Sequence, residues 1–471
     1  LQFSSIGGTA DLVTQPDGKI VLIGSCFSIN FGNFPFCLLR LNQNGGFDTT
    51  FAGPQGNTGY VLTSIPGYTP GEGLGIARQS SGKLVVVGYG NNVSNDRYVI
   101  ARFNENGSLD TTFGQSGFVI NTEIIGRANK VLIQPDGKIL IVGTGSGKLF
   151  VARYSADGVA DISFGSNGIF LLNTASDGSA IALQPDGKII AAGDMSSSAT
   201  YLLIRLNSNG TLDNAWDGDG ITTVPSVAFQ NGNIAVAIQG DGRILAVADE
   251  SLLFRFTNDG SLDTSFDNDG SRPALDGIAT ANDLTVTASG KITVVGHSKI
   301  PNLSTFSDPI LYKTARFLPS GEPDPTYSDD GFLDIDVIAS VRDGAFASTY
   351  DLSGRLVISG RSAPGARFSP WNGSQFSLVR LLASPTQNVG FTGRVLNSAG
   401  KPLGNAFITL KFDNDTVATT RTNNFGYFRF RDVQSARTYT FSVRAKNLNF
   451  YDQNILIDGE VANYLFVGFN Q

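Results

Sequence analysis

Short apolar runs recur along most of the chain, each entered through a polar turn built on glycine. The segment LIQPDGKILIVG (132–143) returns as LVTQPDGKIVLIG, IARQSSGKLVVVG, ALQPDGKIIAAG, AIQGDGRILAVA, TVTASGKITVVG and TYDLSGRLVISG. The turn glycines are Gly18, Gly82, Gly137, Gly187, Gly242, Gly290 and Gly354, spaced 48–64 residues apart. The run after each turn is apolar on both faces, as in Ile139, Leu140, Ile141 and Val142. Such a run predicts a strand covered on both sides.

An arginine follows each run: Arg40, Arg102, Arg153, Arg205, Arg255, Arg316 and Arg380. After six of these comes a turn, a Leu-Asp-like pair and an aromatic, as in FNENGSLDTTFGQSG (103–117). Each repeat therefore reads as four short strands. Strand A precedes the first turn, B follows it, C carries the arginine and D follows the glycine after the aromatic. Units of this kind are propeller blades. The seventh repeat lacks the Leu-Asp and aromatic, and Leu1–Ser4 reads as a strand D without a strand C. Leu1–Ser4 is expected to pair with the strand around Leu378–Leu381 and close the ring.

QPDGKI, ARxN and NGSLDTTFG resemble the delta-sixty repeats of bacterial secreted proteins, themselves similar to NHL-type propellers. Beyond SPTQN (384–388), FTGRVLNSAGKPLGNAFITLKFD and TRTNNFGYFRFRDV resemble the carboxypeptidase regulatory-like domain, a transthyretin-type sandwich. The expected fold is all-β: a seven-bladed β-propeller over 1–383 closed by an N-terminal strand, a linker at 384–388 and a seven-stranded β-sandwich over 389–471. The resemblance implies an accessory sandwich without an active site of its own.

The repeated charges predict structural pairs. Arg40 with Asp48, Arg102 with Asp110, Arg153 with Asp161, Arg205 with Asp213, Arg255 with Asp263 and Arg316 with Asp324 can meet across the C–D hairpin. A guanidinium fork suits a carboxylate there. Variation is concentrated on the other side of the disc. The distance from turn glycine to strand-C arginine runs from 13 residues in blade five to 26 in blades six and seven. The long B–C loops carry Phe31, Phe34, Phe306, Tyr312, Phe368 and Trp371, which are expected to form a binding surface.

Composition narrows the chemistry. The net charge is −7 with no basic cluster, so no nucleic-acid partner is expected. No apolar run reaches the length of a membrane helix. The chain opens at Leu1 without a leader-like stretch, which reads as a removed leader or a trimmed start. Cys26 and Cys37 are the only cysteines, and a disulfide closing their loop predicts an oxidising, extracellular or cell-surface location. The single histidine, His297, argues against a histidine-built metal site or a serine triad. No cofactor is expected. The acidic runs Asp217–Gly220, Asp267–Gly270 and Asp329–Gly331 leave calcium as the one metal to consider, though they lack the full oxygen set of a calcium loop. Sequons begin at Asn92, Asn106, Asn209, Asn302, Asn372 and Asn414 in expected loops.

The sequence thus predicts a non-catalytic extracellular binding, adhesion or scaffold protein that uses the variable-loop face. Its partners would be an extracellular protein, a glycan or copies of itself. Two alternatives are a subunit of a self-assembling surface layer or filament, and a polysaccharide-active enzyme using channel carboxylates.

Overall fold

The computed structural model describes residues 6–26, 36–51, 56, 58–68, 71–92, 95–195, 200–225, 234–248, 251–277, 279–287, 289–298, 310–328, 330–337, 342–351, 354–363, 375–381, 388–397, 401–412, 415–434, 437–446, 448–450, 452–457 and 461–470. It divides into two compact units. One comprises Leu1–Val286, Gly290–Thr349 and Ile358–Val379, and the other Thr287–Ser289, Tyr350–Val357 and Arg380–Gln471.

The first unit is a propeller. Blade one pairs Ile6–Thr14, Ile20–Cys26, Phe36–Leu41 and Tyr60–Thr63 in that order, all antiparallel. Blades four, five and six repeat the order, starting from Asp177–Leu183, Ile234–Ile238 and Ala279–Val286. Blades two and three share one strand, Phe118–Ile133, which leaves blade two as strand D and enters blade three as strand A. Blade seven contributes Arg342–Tyr350, Leu356–Ala363 and Gln375–Arg380. The expected closing strand, Leu1–Ser4, lies outside the described residues.

Strand B is apolar on both faces because the cores lie between blades. Leu84 and Val86 pack with Val21, Ile23 and Phe51 of blade one. Val85 and Val87, on the opposite face, pack with Ile139, Ile141 and Phe150 of blade three. Each such side chain contributes roughly 1.5–3 kcal/mol on burial.

The repeated charges join the blades. Arg102 Nε lies 2.7 Å from Asp110 Oδ2, and the other five pairs have Nε–Oδ2 distances of 2.7–2.8 Å. A cation from the A–B turn also reaches each carboxylate: Lys19, Lys83, Lys138, Lys188, Arg243 and Lys291. Each guanidinium lies 4.6–4.8 Å from the ring centre of the aromatic that follows, from Phe51 to Tyr327. The free end of the fork then leaves the blade. Nη1 of Arg40, Arg102, Arg153, Arg205 and Arg255 donates to a carbonyl in the next blade's C–D turn: Glu105, Ala156, Ser208, Asn258 and Pro319 respectively.

Blade seven, without the Leu-Asp turn, holds its arginine differently. Arg380 Nε lies 3.4 Å from Asp351 Oδ2, which also takes Arg355 Nε at 2.8 Å. Asp351 stands where Gln15, Gln79, Gln134, Gln184 and Gln239 open the A–B turn in other blades. The carboxylate has moved from one turn to the other, and two cations still share it.

The second unit holds the sandwich. One sheet orders Tyr427–Gln434, Asn388–Asn397, Val461–Asn470 and Leu448–Asn449. The other orders Asp415–Arg421, Phe407–Phe412, Arg437–Arg444 and Gln453–Ile457. Leu448–Asn449 is only a two-residue piece, and the remaining seven strands are the substantial ones. Phe391, Phe428, Phe441 and Phe466 form an aromatic core, with Phe391 and Phe441 ring centres 4.4 Å apart. The expected linker lies outside the described residues up to 387, and Asn388 already belongs to the first strand.

Candidate functional site

Strand A of every blade faces a common channel of about 620 Å³. Five of these strands carry one extra residue opposite strand B: Ala10, Leu74, Asn129, Ser179 and Asn282. The residue facing each bulge on strand B is glycine, at Gly24, Gly88, Gly143, Gly193 and Gly296. A Cβ on Gly143 would meet the Arg127 carbonyl at 1.9 Å, and one on Gly193 the Asp177 carbonyl at 1.6 Å. The glycine lets that carbonyl project, and the bulge re-aims the strand.

Three charges meet in the channel. Lys130 Nζ lies 3.3 Å from Asp11 Oδ2. Asp11 also accepts the backbone N–H of Ile76 in the next blade at 3.2 Å. Asp283 repeats the arrangement in blade six, accepting Ser348 N at 2.7 Å and Ser348 Oγ at 3.0 Å. Burial pushes the Asp283 carboxyl up to about 6, opposed by the Lys130 charge and aided by Asp11. Burial would lower the Lys130 ammonium, but Asp11 and Asp283 hold it above its ordinary value. Asn129 and Asn282 donate to Gly178 and Ala345 carbonyls of the following blades at 2.7 and 2.6 Å. Asn282 also donates to His297 Nδ1 at 3.0 Å, which makes that nitrogen an acceptor.

The mouth over blades two to four opens into a second cavity of about 710 Å³. Its lining includes Asn91, Asp96, Arg127, Thr144, Asp177 and Asp194. Arg127 Nε lies 2.5 Å from Asp96 and its guanidinium stacks 4.2 Å from the Tyr89 ring centre. Asp177 and Asp194 stand directly opposite each other on neighbouring strands. Burial, then the facing Asp177 charge, pushes the Asp194 carboxyl up to about 6. Asn129 and Ser179 line both cavities, so the mouth leads into the channel. Hydrogen-bonding and charged groups of this kind suit a hydrophilic ligand.

Of the aromatics expected on the loop face, Phe31, Phe34, Phe306, Phe368 and Trp371 lie outside the described residues. Tyr312 is a correction. It is fully buried, and its hydroxyl meets Ser377 Oγ. It opens strand C rather than projecting from the loop, opposite His297 in the ladder. Cys37 is disulfide-bonded; the side chain of Cys26, its expected partner, lies outside what the structure describes. The acidic runs cap local turns: Asp219 accepts Ile221 N, Asp269 accepts Ser271 N and Asp330 accepts Phe332 N. Among the described residues no group of three or more His, Cys, Asp or Glu could hold a metal ion.

Sequence reasoning passed over Asp11, Lys130, Asp283, Asp177 and Asp194. The first three share one signal. Each stands seven residues before a turn glycine, where other blades carry Gly75, Ala180, Ala235 and Ala347.

A family described as "Domain of unknown function (DUF5122) beta-propeller" matches residues 15–51, 79–113, 134–164, 184–215 and 239–266. The carboxypeptidase regulatory-like domain family matches residues 390–463. No curated protein matches the chain. Among solved structures the chain is similar to YCF48 bound to D1 peptide, at 11% identity and TM-score 0.43, covering 81% of this chain and 94% of that one. It is also similar to the PQQ-bound aldose sugar dehydrogenase of Streptomyces coelicolor, at 15% identity and TM-score 0.41, covering 71% and 96%. A third is Sqt1 of Chaetomium thermophilum, at 13% identity and TM-score 0.40, covering 81% and 100%. Repeats, blades and sandwich together make this chain a DUF5122-type β-propeller protein with a C-terminal carboxypeptidase regulatory-like domain.

Proposed function

We propose that this is a non-catalytic extracellular binding protein that takes a hydrophilic ligand on the loop face of its propeller. The observation that carries this reading is the polar cavity at the channel mouth. It is large enough for a small molecule or a segment of a polymer, since ligand pockets are commonly about 300–1,000 Å³. The B–C turns and D–A segments that line it are the variable part of each blade. The disulfide at Cys37, expected to be with Cys26, supports an oxidising compartment outside the cell. The A–B and C–D turns opposite are committed to holding blades together, which leaves the loop face for the ligand.

The test is a glycan array probed with the full chain, read beside light scattering of the same sample. Binding by monomers, weakened by Asp96→Ala and Asp177→Ala, supports the reading. Regular polymers without glycan binding would replace it with self-assembly. Turnover of a bound polysaccharide would replace it with catalysis.

A further inference from the structure

We propose that the C-terminal sandwich is a second binding module, which takes an anionic polysaccharide on the outer face of the sheet built from Asp415–Arg421, Phe407–Phe412 and Arg437–Arg444. The whole-chain charge of −7 conceals a division. Residues 389–471 carry nine Lys and Arg against six Asp and Glu, a net +3, which leaves −10 on residues 1–388. Three neighbouring strands of the sandwich line up Arg421, Phe407 and Arg444 as direct cross-strand partners. The next row on the same face is Thr419, Thr409 and Ser442, and Lys411 stands two residues beyond Thr409. Neither row contains a carboxylate. Among the described residues neither arginine forms an ion pair.

The arginine is held in place without being neutralised. The Arg421 guanidinium lies 5.2 Å from the Phe407 ring centre, and its Nη1 donates to Asn405 Oδ1 at 3.1 Å. One edge of the fork is thereby anchored, and the other is left for a planar, charge-assisted bond to an anion. Arg444 is exposed on the far side of Phe407. Strands are about 4.8 Å apart, so the two arginines stand about 10 Å apart on one row, near the length of a disaccharide. They can therefore take charged groups on alternate sugars. The hydroxyl row points to the same ligand. Ser442 Oγ is shielded from water and has no hydrogen-bond partner, a cost that a sugar hydroxyl can relieve. Single-stranded nucleic acid fits this face less well. It stacks successive bases on bare rings, and the one ring in these rows is already covered by Arg421.

Calorimetric titration of the full chain tests this with polygalacturonate, dextran sulfate, uncharged dextran and single-stranded oligothymidine, beside light scattering of the same samples. The expected result is that polygalacturonate or dextran sulfate binds at least about tenfold more tightly than dextran. Combining Arg421→Gln with Arg444→Gln should weaken that binding by at least about tenfold and leave the melting temperature unchanged. Asp96→Ala and Asp177→Ala should not affect it, which separates this site from the mouth cavity. Equally tight binding of oligothymidine overturns the polysaccharide assignment in favour of a general polyanion surface. Association of copies that the two arginine substitutions abolish, with no polysaccharide bound, overturns it in favour of a second copy's acidic propeller. Failure of both charged polymers to bind, or binding that the double variant retains, overturns the sandwich site and leaves the mouth reading standing.

Discussion

Arg102 donates Nη1 to the carbonyl of Ala156, 54 residues away in the next blade, at 2.6 Å. Its Nε meanwhile holds Asp110 within its own blade at 2.7 Å. One planar fork thus fixes a hairpin and joins two blades. Arg102→Ala should cost about 3 kcal/mol, because it breaks a buried ion pair and leaves the Ala156 carbonyl without its donor, although Lys83 still reaches Asp110. Arg102→Lys should recover little of this, since an ammonium cannot serve both acceptors in the same plane. Equilibrium urea denaturation of both variants gives the numbers. A lysine variant as stable as the parent would show that charge alone suffices.

Stability should peak in mildly acidic solution. Burial and the facing acids raise Asp194 and Asp283 to about 6, above the ordinary 3.8. Their contribution is full below about pH 4 and is lost as the pH rises through 6. Asp48 and Asp324 run the other way. Burial would raise each, but hydrogen bonds from the following threonine and nearby cations bring both down to about 2. Their contribution is present above about pH 4 and is lost as the pH falls through 2. Melting temperatures between pH 2 and 8 should therefore be highest at about pH 4–5. Asp283→Asn and Asp194→Asn should flatten the neutral side of that curve only.

Two glycines should respond in opposite directions. Gly143→Ala would drive a Cβ into the Arg127 carbonyl at 1.9 Å, so the bulge or the strand must give way. A loss of several kcal/mol, on the order of 3–5, is expected from displaced core packing. Gly240 has open space around its Cβ position and stands where Pro16, Pro135 and Pro185 open the same turn. Gly240→Pro should therefore stabilise by about 0.4–1 kcal/mol. Thermal melts of the two single variants separate the cases.

Reducing the disulfide at Cys37 should lower stability by about 2–4 kcal/mol, measured by denaturation with and without reductant. An unchanged midpoint would mean that the blade-one strands hold their register without it.

The blades were legible because the same residue types return at fixed offsets, and each offset names a strand. Arg102 and Asp110 could be paired on paper for that reason. The forward bond to Ala156 could not, since its acceptor is a backbone carbonyl with no residue signature. The bulges left a trace in the glycine that ends strand B, but its meaning depends on a carbonyl from the facing strand. Tyr312 was misplaced by reading the long loop as an unbroken whole. Counting four residues back from Arg316 puts it level with Phe36, Tyr98 and Tyr201, all buried at the start of strand C. The mouth cavity was illegible because Asp96, Arg127, Asp177 and Asp194 come from three blades, and the repeat does not contain them.

The arginine bonds all run one way, from blade one toward blade six. During synthesis each blade would emerge with its guanidinium still facing water and would be completed only by the blade that follows. A chain stalled partway ends on an unfinished arginine, whereas one shortened from its start leaves none behind. Tolerance to truncation should differ between the two ends of the disc for that reason alone.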